Sequence, residues 1–207
     1  MMTDAIVYVV DDDDAVRDSL KVLLESDGLN TQVYASGREF MDSYNDYMPG
    51  CLLLDVQLPD MNGLEIQLEL VNNQIKLPII IITGYADVPI AVKALKAGAV
   101  DFIEKPFSDD RILASVRHAL QIGDRNLREQ ASLTETKAKL ERLTDRERQV
   151  LEQLVVGRLN KVIAFELGIS ARTVEIHRAR IMEKMEARSL AHLVRLTLAL
   201  GIKPEIP

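Results

Sequence analysis

Four short apolar segments in the first half of the sequence end beside side chains that can do chemistry. Such segments are typical of buried parallel strands. The segments and the polar residues that follow them are Ile6–Val10 with Asp11 and Asp12, Cys51–Leu54 with Asp55, Ile79–Ile82 with Thr83, and Val100–Ile103 with Glu104 and Lys105. Because the carboxyl ends of parallel strands share one edge of a sheet, where ligands bind, these side chains are predicted to meet in one pocket.

The composition of this pocket indicates a metal and a phosphoryl group. Asp11, Asp12 and Asp55 would repel one another unless a cation joined them. Oxygen-only ligands favour a hard ion such as Mg²⁺, for which Mn²⁺ is expected to substitute. Thr83 and Lys105 add a hydroxyl and an ammonium, two hydrogen-bond donors expected on the opposite side of the pocket. A phosphoryl group on Asp55, which follows the central strand, would supply oxygens to both the metal and these donors.

Each residue also has an ordinary structural interpretation. Acidic residues after a strand often cap a helix, and Asp13 and Asp14 fit that role before a helix that starts at Ala15. Thr83 alone would be a turn residue, and Lys105 alone would be a solvated cation. Their occurrence together at four strand ends favours function for the set.

The elements that must position these residues alternate between strand and helix. A weaker segment, Thr31–Ala35, makes a fifth strand. The alternation predicts a doubly wound α/β domain with a five-stranded parallel sheet. The helical patterns lie at Ala15–Ser26, Gly37–Tyr44, Gly63–Asn72, Val88–Ala97 and Asp109–Gln121.

The remainder of the chain contains only helical patterns. Residues 125–142 are polar, with Leu127, Leu133 and Leu140 recurring about every seven residues. This stretch is predicted to be a linker helix, either paired with a second copy or solvated by itself. Residues 143–207 then predict a small all-α domain of four helices, namely Asp145–Val156, Lys161–Leu167, Ala171–Glu186 and Ser189–Ala199.

Charge and composition bound the function. The 207 residues carry a formal net charge of −7, include one cysteine, Cys51, and contain no apolar run near the roughly 18 residues of a membrane span. A disulfide-stapled secreted protein and a membrane partner are therefore excluded, and a cytoplasmic protein without a signal peptide is expected. Residues 1–124 carry a net charge of −12 and residues 125–207 one of +5. The uneven charge predicts two domains with different partners.

The third helix of the basic part could enter DNA. A tight connection, Gly168–Ser170, separates it from the helix before, which is typical of helix-turn-helix units, and Ser170 would cap it. Its core-facing side is mostly apolar, whereas the other side has small, branched and basic residues suited to a major groove. The groove-facing residues are Arg172, Thr173, Ile176, Ala179 and Arg180.

Residues 4–122 resemble the receiver domain of two-component response regulators. The motifs are Val9–Asp12, Leu54–Gly63, Ile82–Gly84 and Glu104–Phe107. The resemblance implies a flavodoxin-like fold in which a sensor histidine kinase phosphorylates Asp55. It also implies Mg²⁺ held by Asp12, Asp55 and the Gln57 backbone carbonyl, with Asp11 acting through water. The remaining implied features are phosphoryl contacts from Thr83 and Lys105, a switch made of Thr83 and Phe102, and a cis Lys105–Pro106 peptide.

Residues 140–202 resemble the LuxR/NarL-type helix-turn-helix output domain. The motifs are Leu143–Glu147, Asn160–Ala164, Ile169–Ser170 and Thr173–His177. The whole chain is most similar to the FixJ-like subgroup of activators. Glu175 differs from the basic residue common in the family and would either accept from a cytosine amino group or face solvent. The resemblance implies DNA contacts by Lys161, Arg172, Thr173, Glu175, Ile176 and Arg180.

The leading hypothesis is a phosphorylation-controlled transcription factor that is not a conventional enzyme. It would form a homodimer when phosphorylated, bind promoter DNA and contact RNA polymerase. One alternative, an aspartyl-phosphate hydrolase, usually has a second aspartate where this chain has Gln57. The other alternative is a receiver that only relays phosphate, which would not explain the function of the basic helix-turn-helix.

Overall fold

The chain forms two compact units, Met1–Arg128 and Glu129–Pro207. A computed structural model describes residues 5–45, 48–84 and 87–202. No helix within these ranges is both long enough and apolar enough to span a membrane.

The first unit is built on a parallel sheet with the strand order β2-β1-β3-β4-β5. All residues of β3 and β4 are buried, because helices cover both faces of the sheet. The predicted five-stranded α/β flavodoxin-like fold is therefore confirmed. The strands are β1 Ile6–Val10, β2 Asn30–Tyr34, β3 Gly50–Asp55, β4 Ile79–Thr83 and β5 Asp101–Glu104.

Alternation along the strands divides the apolar side chains into two cores. The core that contains Val9, Leu53 and Ile82 packs against α1 and α5. The core that contains Leu54 and Ile81 packs against α2, α3 and α4. The helices of this part of the chain are α1 Asp14–Ser26, α2 Gly37–Ser43, α3 Gly63–Asn72, α4 Val88–Lys96 and α5 Asp109–Glu141.

Helix α5 is longer than the sequence pattern predicts. One helix of 33 residues replaces the expected helix ending at Gln121 and the separate linker helix after it. Gly123 lies inside this helix and packs closely against the start of β3. A Cβ atom there would lie 2.6 Å from the backbone oxygen of Gly50.

The second unit contains the four further helices expected from the sequence. Their apolar faces enclose one core that includes Val150, Ile163, Val174, Ile181 and Leu193. Between α7 and α8 the chain turns at Gly168, whose φ of 63° is the left-handed conformation of a helix C-cap. The helices are α6 Asp145–Val155, α7 Asn160–Leu167, α8 Ala171–Lys184 and α9 Leu190–Ala199.

Candidate phosphoacceptor pocket and nucleic-acid interface

Three charged side chains meet at the carboxyl edge of the sheet. Asp11 follows β1, Asp55 ends β3 and Lys105 follows β5. The Lys105 Nζ atom lies 2.5 Å from Asp11 Oδ2 and 2.6 Å from Asp55 Oδ2. Side chains from three separate strands therefore converge as the sequence predicts, and the Lys105–Pro106 peptide is cis.

Burial makes the charges in this pocket interact strongly. Asp11 is 1% exposed and Asp55 is 6% exposed. Burial raises the pKa of Asp11, even though Lys105 and the Asp13 N–H donate hydrogen bonds to it. Burial alone would lower the pKa of Lys105, but its hydrogen bonds to Asp11 and Asp55 raise it overall. One ammonium thus faces two carboxylates, and a further cation would be favourable.

The acidic residues have the arrangement that a divalent cation needs. Asp11, Asp12 and Asp55 each offer a carboxylate oxygen, and these oxygens lie within 4.8 Å of one another. Asp12 is exposed, so the group is open to solvent on one side. An all-oxygen set with excess negative charge fits Mg²⁺.

The backbone of Gln57 lies beside this cluster. Its N–H donates to Asp55 Oδ1 at 3.1 Å. Gln57 forms an isolated antiparallel bridge with Asn62, and the Gly63 N–H donates to the Val56 carbonyl at 2.9 Å. In this bridge pattern the polar backbone groups of Gln57 point away from Asn62. The Gln57 carbonyl therefore points away from Asn62, as does the N–H that bonds to Asp55.

Thr83 and Phe102 lie towards α4. Thr83 ends β4, is 1% exposed and follows the side-chain alternation of Ile81. Phe102 is half-buried and packs against the same core, which includes Ala94 of α4. The loop that follows Thr83 includes residues 85 and 86, which lie outside the described ranges.

Helix α8 presents a polar and an apolar side as predicted. Val174 and Ile181 are fully buried, which fixes the rotation of the helix. Ser170 accepts a hydrogen bond from the Thr173 N–H at 3.0 Å and lies 2.8 Å from the Thr173 hydroxyl. Thr173 is half-buried, whereas the other predicted contact residues are exposed. These are Lys161 on α7 and Arg172, Glu175, Ile176 and Arg180 on α8.

Comparisons with known proteins agree with both halves of this description. The response regulator receiver domain matches residues 7–117, and the bacterial regulatory proteins of the luxR family match residues 141–197. The chain belongs to the response regulators with a LuxR-type DNA-binding domain. It is therefore a two-component response regulator that acts in transcription, with a kinase and promoter DNA as partners.

Similar proteins cover almost the whole chain. The transcriptional regulatory protein FixJ of Azorhizobium caulinodans is 47% identical over 96% of this chain and 94% of the relative. FixJ of Rhizobium meliloti is 45% identical over 98% of this chain and 100% of the relative. The solved structure of the response regulator StyR is 38% identical, with a TM-score of 0.82 over 94% of this chain and 98% of that chain. The resemblance to the FixJ-like subgroup is confirmed.

In this response regulator, two residues beside the pocket have roles that sequence reasoning missed. Arg17 on α1 donates to the Asp11 carbonyl at 2.6 Å and forms an ion pair with Asp14. A Cβ atom on Gly63 would lie 2.1 Å from the Asp55 carbonyl oxygen, so only glycine allows α3 to begin this close to Asp55. Gly63 belongs to a recognisable motif, whereas no sequence signal identifies Arg17.

An ion pair between α8 and the start of α6 was also missed. Glu147 is 2% exposed and forms a capping box with Thr144 at the start of α6. Lys184 at the end of α8 places its Nζ 2.6 Å from Glu147 Oε2 and 3.2 Å from the Arg142 carbonyl. The pair connects α8 to the start of α6. The two residues are 37 positions apart, so neither helical pattern reveals the contact.

Proposed function

We propose that a sensor histidine kinase phosphorylates this response regulator on Asp55. The Asp55 carboxylate attacks the phosphorus of a phosphohistidine, so an O–P bond forms while the N–P bond breaks and its electron pair returns to the imidazole. The observation that carries the proposal is the bonding of Lys105 Nζ to both buried carboxylates. This ammonium can donate to a phosphoryl oxygen on Asp55 without a large movement.

Four groups would hold Mg²⁺ in this pocket. They are the carboxylates of Asp11, Asp12 and Asp55 and the carbonyl of Gln57, of which Asp11 would act through water. Bound there, Mg²⁺ would offset the charge of the carboxylates and of the phosphoryl oxygens. The oxygen cluster and the direction of the Gln57 backbone support this assignment.

We further propose that Thr83 and Phe102 transmit phosphorylation to the surface around α4. A phosphoryl group adds close to two negative charges and three acceptor oxygens. The Thr83 hydroxyl donates to one of these oxygens after a shift of the loop that follows β4. Phe102 packs against the same core as α4, so its reorientation accompanies that shift.

The output step is DNA binding by a dimer. We propose that residues 1–124 form the receiver, residues 125–142 a helical linker and residues 143–207 the DNA-binding domain. Phosphorylation promotes homodimerisation, and the dimer binds a two-fold repeated promoter site and assists RNA polymerase. Because linkage is reciprocal, DNA binding must favour the phosphorylated dimer to the same extent. The groups assigned to DNA are Lys161, Arg172, Thr173, Glu175, Ile176 and Arg180.

Labelling by acetyl phosphate tests the phosphoacceptor. The full chain should incorporate phosphate in the presence of Mg²⁺, and Asp55→Asn should abolish incorporation because the nucleophile is lost. Asp42→Asn, which changes an exposed carboxylate on α2, serves as the matched control and should be labelled like the unchanged chain. Undiminished labelling of Asp55→Asn would refute the assignment.

Promoter binding at several salt concentrations tests the output. Phosphodonor should increase affinity, and Arg172→Ala should reduce the slope of log K against log salt by about 1 if this side chain neutralises one phosphate. Arg195→Ala removes the same charge from exposed α9 and should leave the slope unchanged. If Asp55 is labelled but phosphorylation does not change DNA binding, the result would instead favour a receiver that only relays phosphate.

A further inference from the structure

An acidic side chain outside the pocket joins the loop after Asp55 to a neighbouring helix. Asp60 Oδ1 accepts a hydrogen bond from the Gly37 N–H at 3.1 Å, and Asp60 Oδ2 accepts one from the Arg38 N–H at 2.7 Å. Gly37 and Arg38 are the first two residues of α2. A carboxylate at a helix N-terminus satisfies free backbone donors and interacts favourably with the helix dipole.

These two bonds do more than cap the helix, because they come from a distant part of the chain. Helix α2 already has an N-cap, since Ser36 accepts a hydrogen bond from the Glu39 N–H at 3.2 Å. Ser36 adjoins the helix in sequence, whereas Asp60 lies 22 or more residues away and belongs to the β3–α3 connection. The hydrogen bonds that Asp60 accepts therefore connect the β3–α3 loop to α2.

Close packing also joins the start of α2 to the loop that contains Asp60. A Cβ atom on Gly37 would lie 2.4 Å from Ile66 Cδ1 and 2.8 Å from Met61 Cγ. The start of α2 thus packs directly against Met61, which follows Asp60, and against α3. At its base the same loop is closed by the bridge between Gln57 and Asn62.

The carboxylate form of Asp60 is favoured by these contacts. Its slight burial would raise the pKa, but the N–H groups of Arg38 and Gly37 lower it below the ordinary value. Asp60 is therefore ionised at neutral pH, where hydrogen bonds to an ionised acceptor are stronger than neutral ones.

We propose that Asp60 is a positioning residue for the divalent cation. By attaching loop residues 56–62 to α2, it holds the Gln57 carbonyl on the side of Asp55. This inference rests on the proposed function, because the Gln57 carbonyl matters only if a cation binds beside Asp55. Asp60 itself contacts neither the cation nor the phosphoryl group. Residues that orient ligands from outside the coordination sphere typically change metal affinity about 10- to 100-fold when they are replaced.

Mg²⁺ affinity of the unphosphorylated full chain tests this role. Titration calorimetry should show about tenfold weaker Mg²⁺ binding for Asp60→Ala, and Asp60→Asn should recover most of the affinity because one acceptor oxygen remains. Ser36→Ala is the matched control, since it weakens the same end of α2 without touching the loop. Its Mg²⁺ affinity should equal that of the unchanged chain.

Amide hydrogen exchange without metal gives a second readout. The Gly63 N–H, which donates to the Val56 carbonyl, should exchange faster in Asp60→Ala than in Ser36→Ala. Equal Mg²⁺ affinities of Asp60→Ala and the unchanged chain would overturn the role of Asp60, as would equal losses in Asp60→Ala and Ser36→Ala. In either case the assignment of Asp55 as phosphoacceptor would be unaffected. If the unchanged chain did not bind Mg²⁺, both the proposed Mg²⁺ site and the role of Asp60 would be overturned.

Discussion

Replacement of Gly63 by alanine should displace the backbone of Asp55 and so disturb the phosphoacceptor pocket. The added Cβ atom would lie 2.1 Å from the backbone oxygen of Asp55, 3.0 Å from its carbonyl carbon and 3.1 Å from Val56 Cα. All three are backbone atoms, so no side-chain rotation relieves the contact. The start of α3 or the end of β3 must move.

The size of that movement sets the expected effect. Real Cβ atoms are essentially never closer than 3.0 Å to such a neighbour, so the Asp55 carbonyl and residue 63 must separate by about 0.9 Å or more. Overpacking of this kind destabilises a protein by about 1–3 kcal/mol. A displacement of about 1 Å in a reacting group can reduce a rate about 100-fold. Gly63→Ala should therefore slow labelling of Asp55 by roughly two orders of magnitude, on the same principle.

Labelling with acetyl phosphate and denaturant unfolding together measure the two effects. Gly28→Ala is a suitable control, because Gly28 has a φ of 79° and no atom within 4 Å of its added Cβ. Backbone strain should reduce the stability of that variant by about 1 kcal/mol and leave labelling unchanged. A Gly63→Ala chain that is labelled at the original rate, and is no less stable than Gly28→Ala, would refute the reasoning.

Further substitutions test the two units separately. Burial would raise the pKa of Glu147, but Lys184 and the N–H of its cap residue lower it below the ordinary 4.5. The pair therefore stabilises the fold above pH 4.5 and loses its effect as the pH falls through the lowered value. Lys184→Met should destabilise the DNA-binding unit by about 2 kcal/mol at pH 7, and thermal unfolding should show the difference shrinking below pH 4.5; a pH-independent difference would contradict this. Ser170→Ala should reduce stability by about 1 kcal/mol in denaturant unfolding through loss of the α8 cap, whereas an unchanged midpoint would argue against the cap. Burial raises the pKa of the Cys51 thiol, so a thiol reagent should modify it only on unfolding, and rapid modification of the native chain would show that β3 opens.

The sequence predicts the pocket well because its residues follow a simple geometric rule. Polar residues at the carboxyl ends of adjacent parallel strands must lie at one edge of the sheet, however the helices pack. Asp11, Asp55 and Lys105 converge for this reason, although they are up to 94 positions apart. The rule also explains why the roles of Gly63 and Arg17 were missed, since neither ends a strand.

Helix limits were predicted less accurately where one residue had two possible meanings. A glycine can end a helix or allow close packing inside one, and Gly123 follows the predicted helix end at Gln121. In the structure Gly123 has the second use, since a Cβ atom there would lie 2.6 Å from the Gly50 backbone oxygen, and α5 continues to Glu141. A sequence pattern does not distinguish these uses, because the neighbouring chain that requires the small residue is distant in sequence.

By itself, the sequence determined the order of elements, the identity of the charged side chains at the sheet edge and the outward face of α8. Each of these depends on a periodicity of two or 3.6 residues, which the chain displays locally. The tertiary structure decided the contacts of Asp60 with α2 and of Lys184 with Glu147. These contacts depend on how helices pack on the sheet and on one another, and that arrangement results from the complete set of buried side chains.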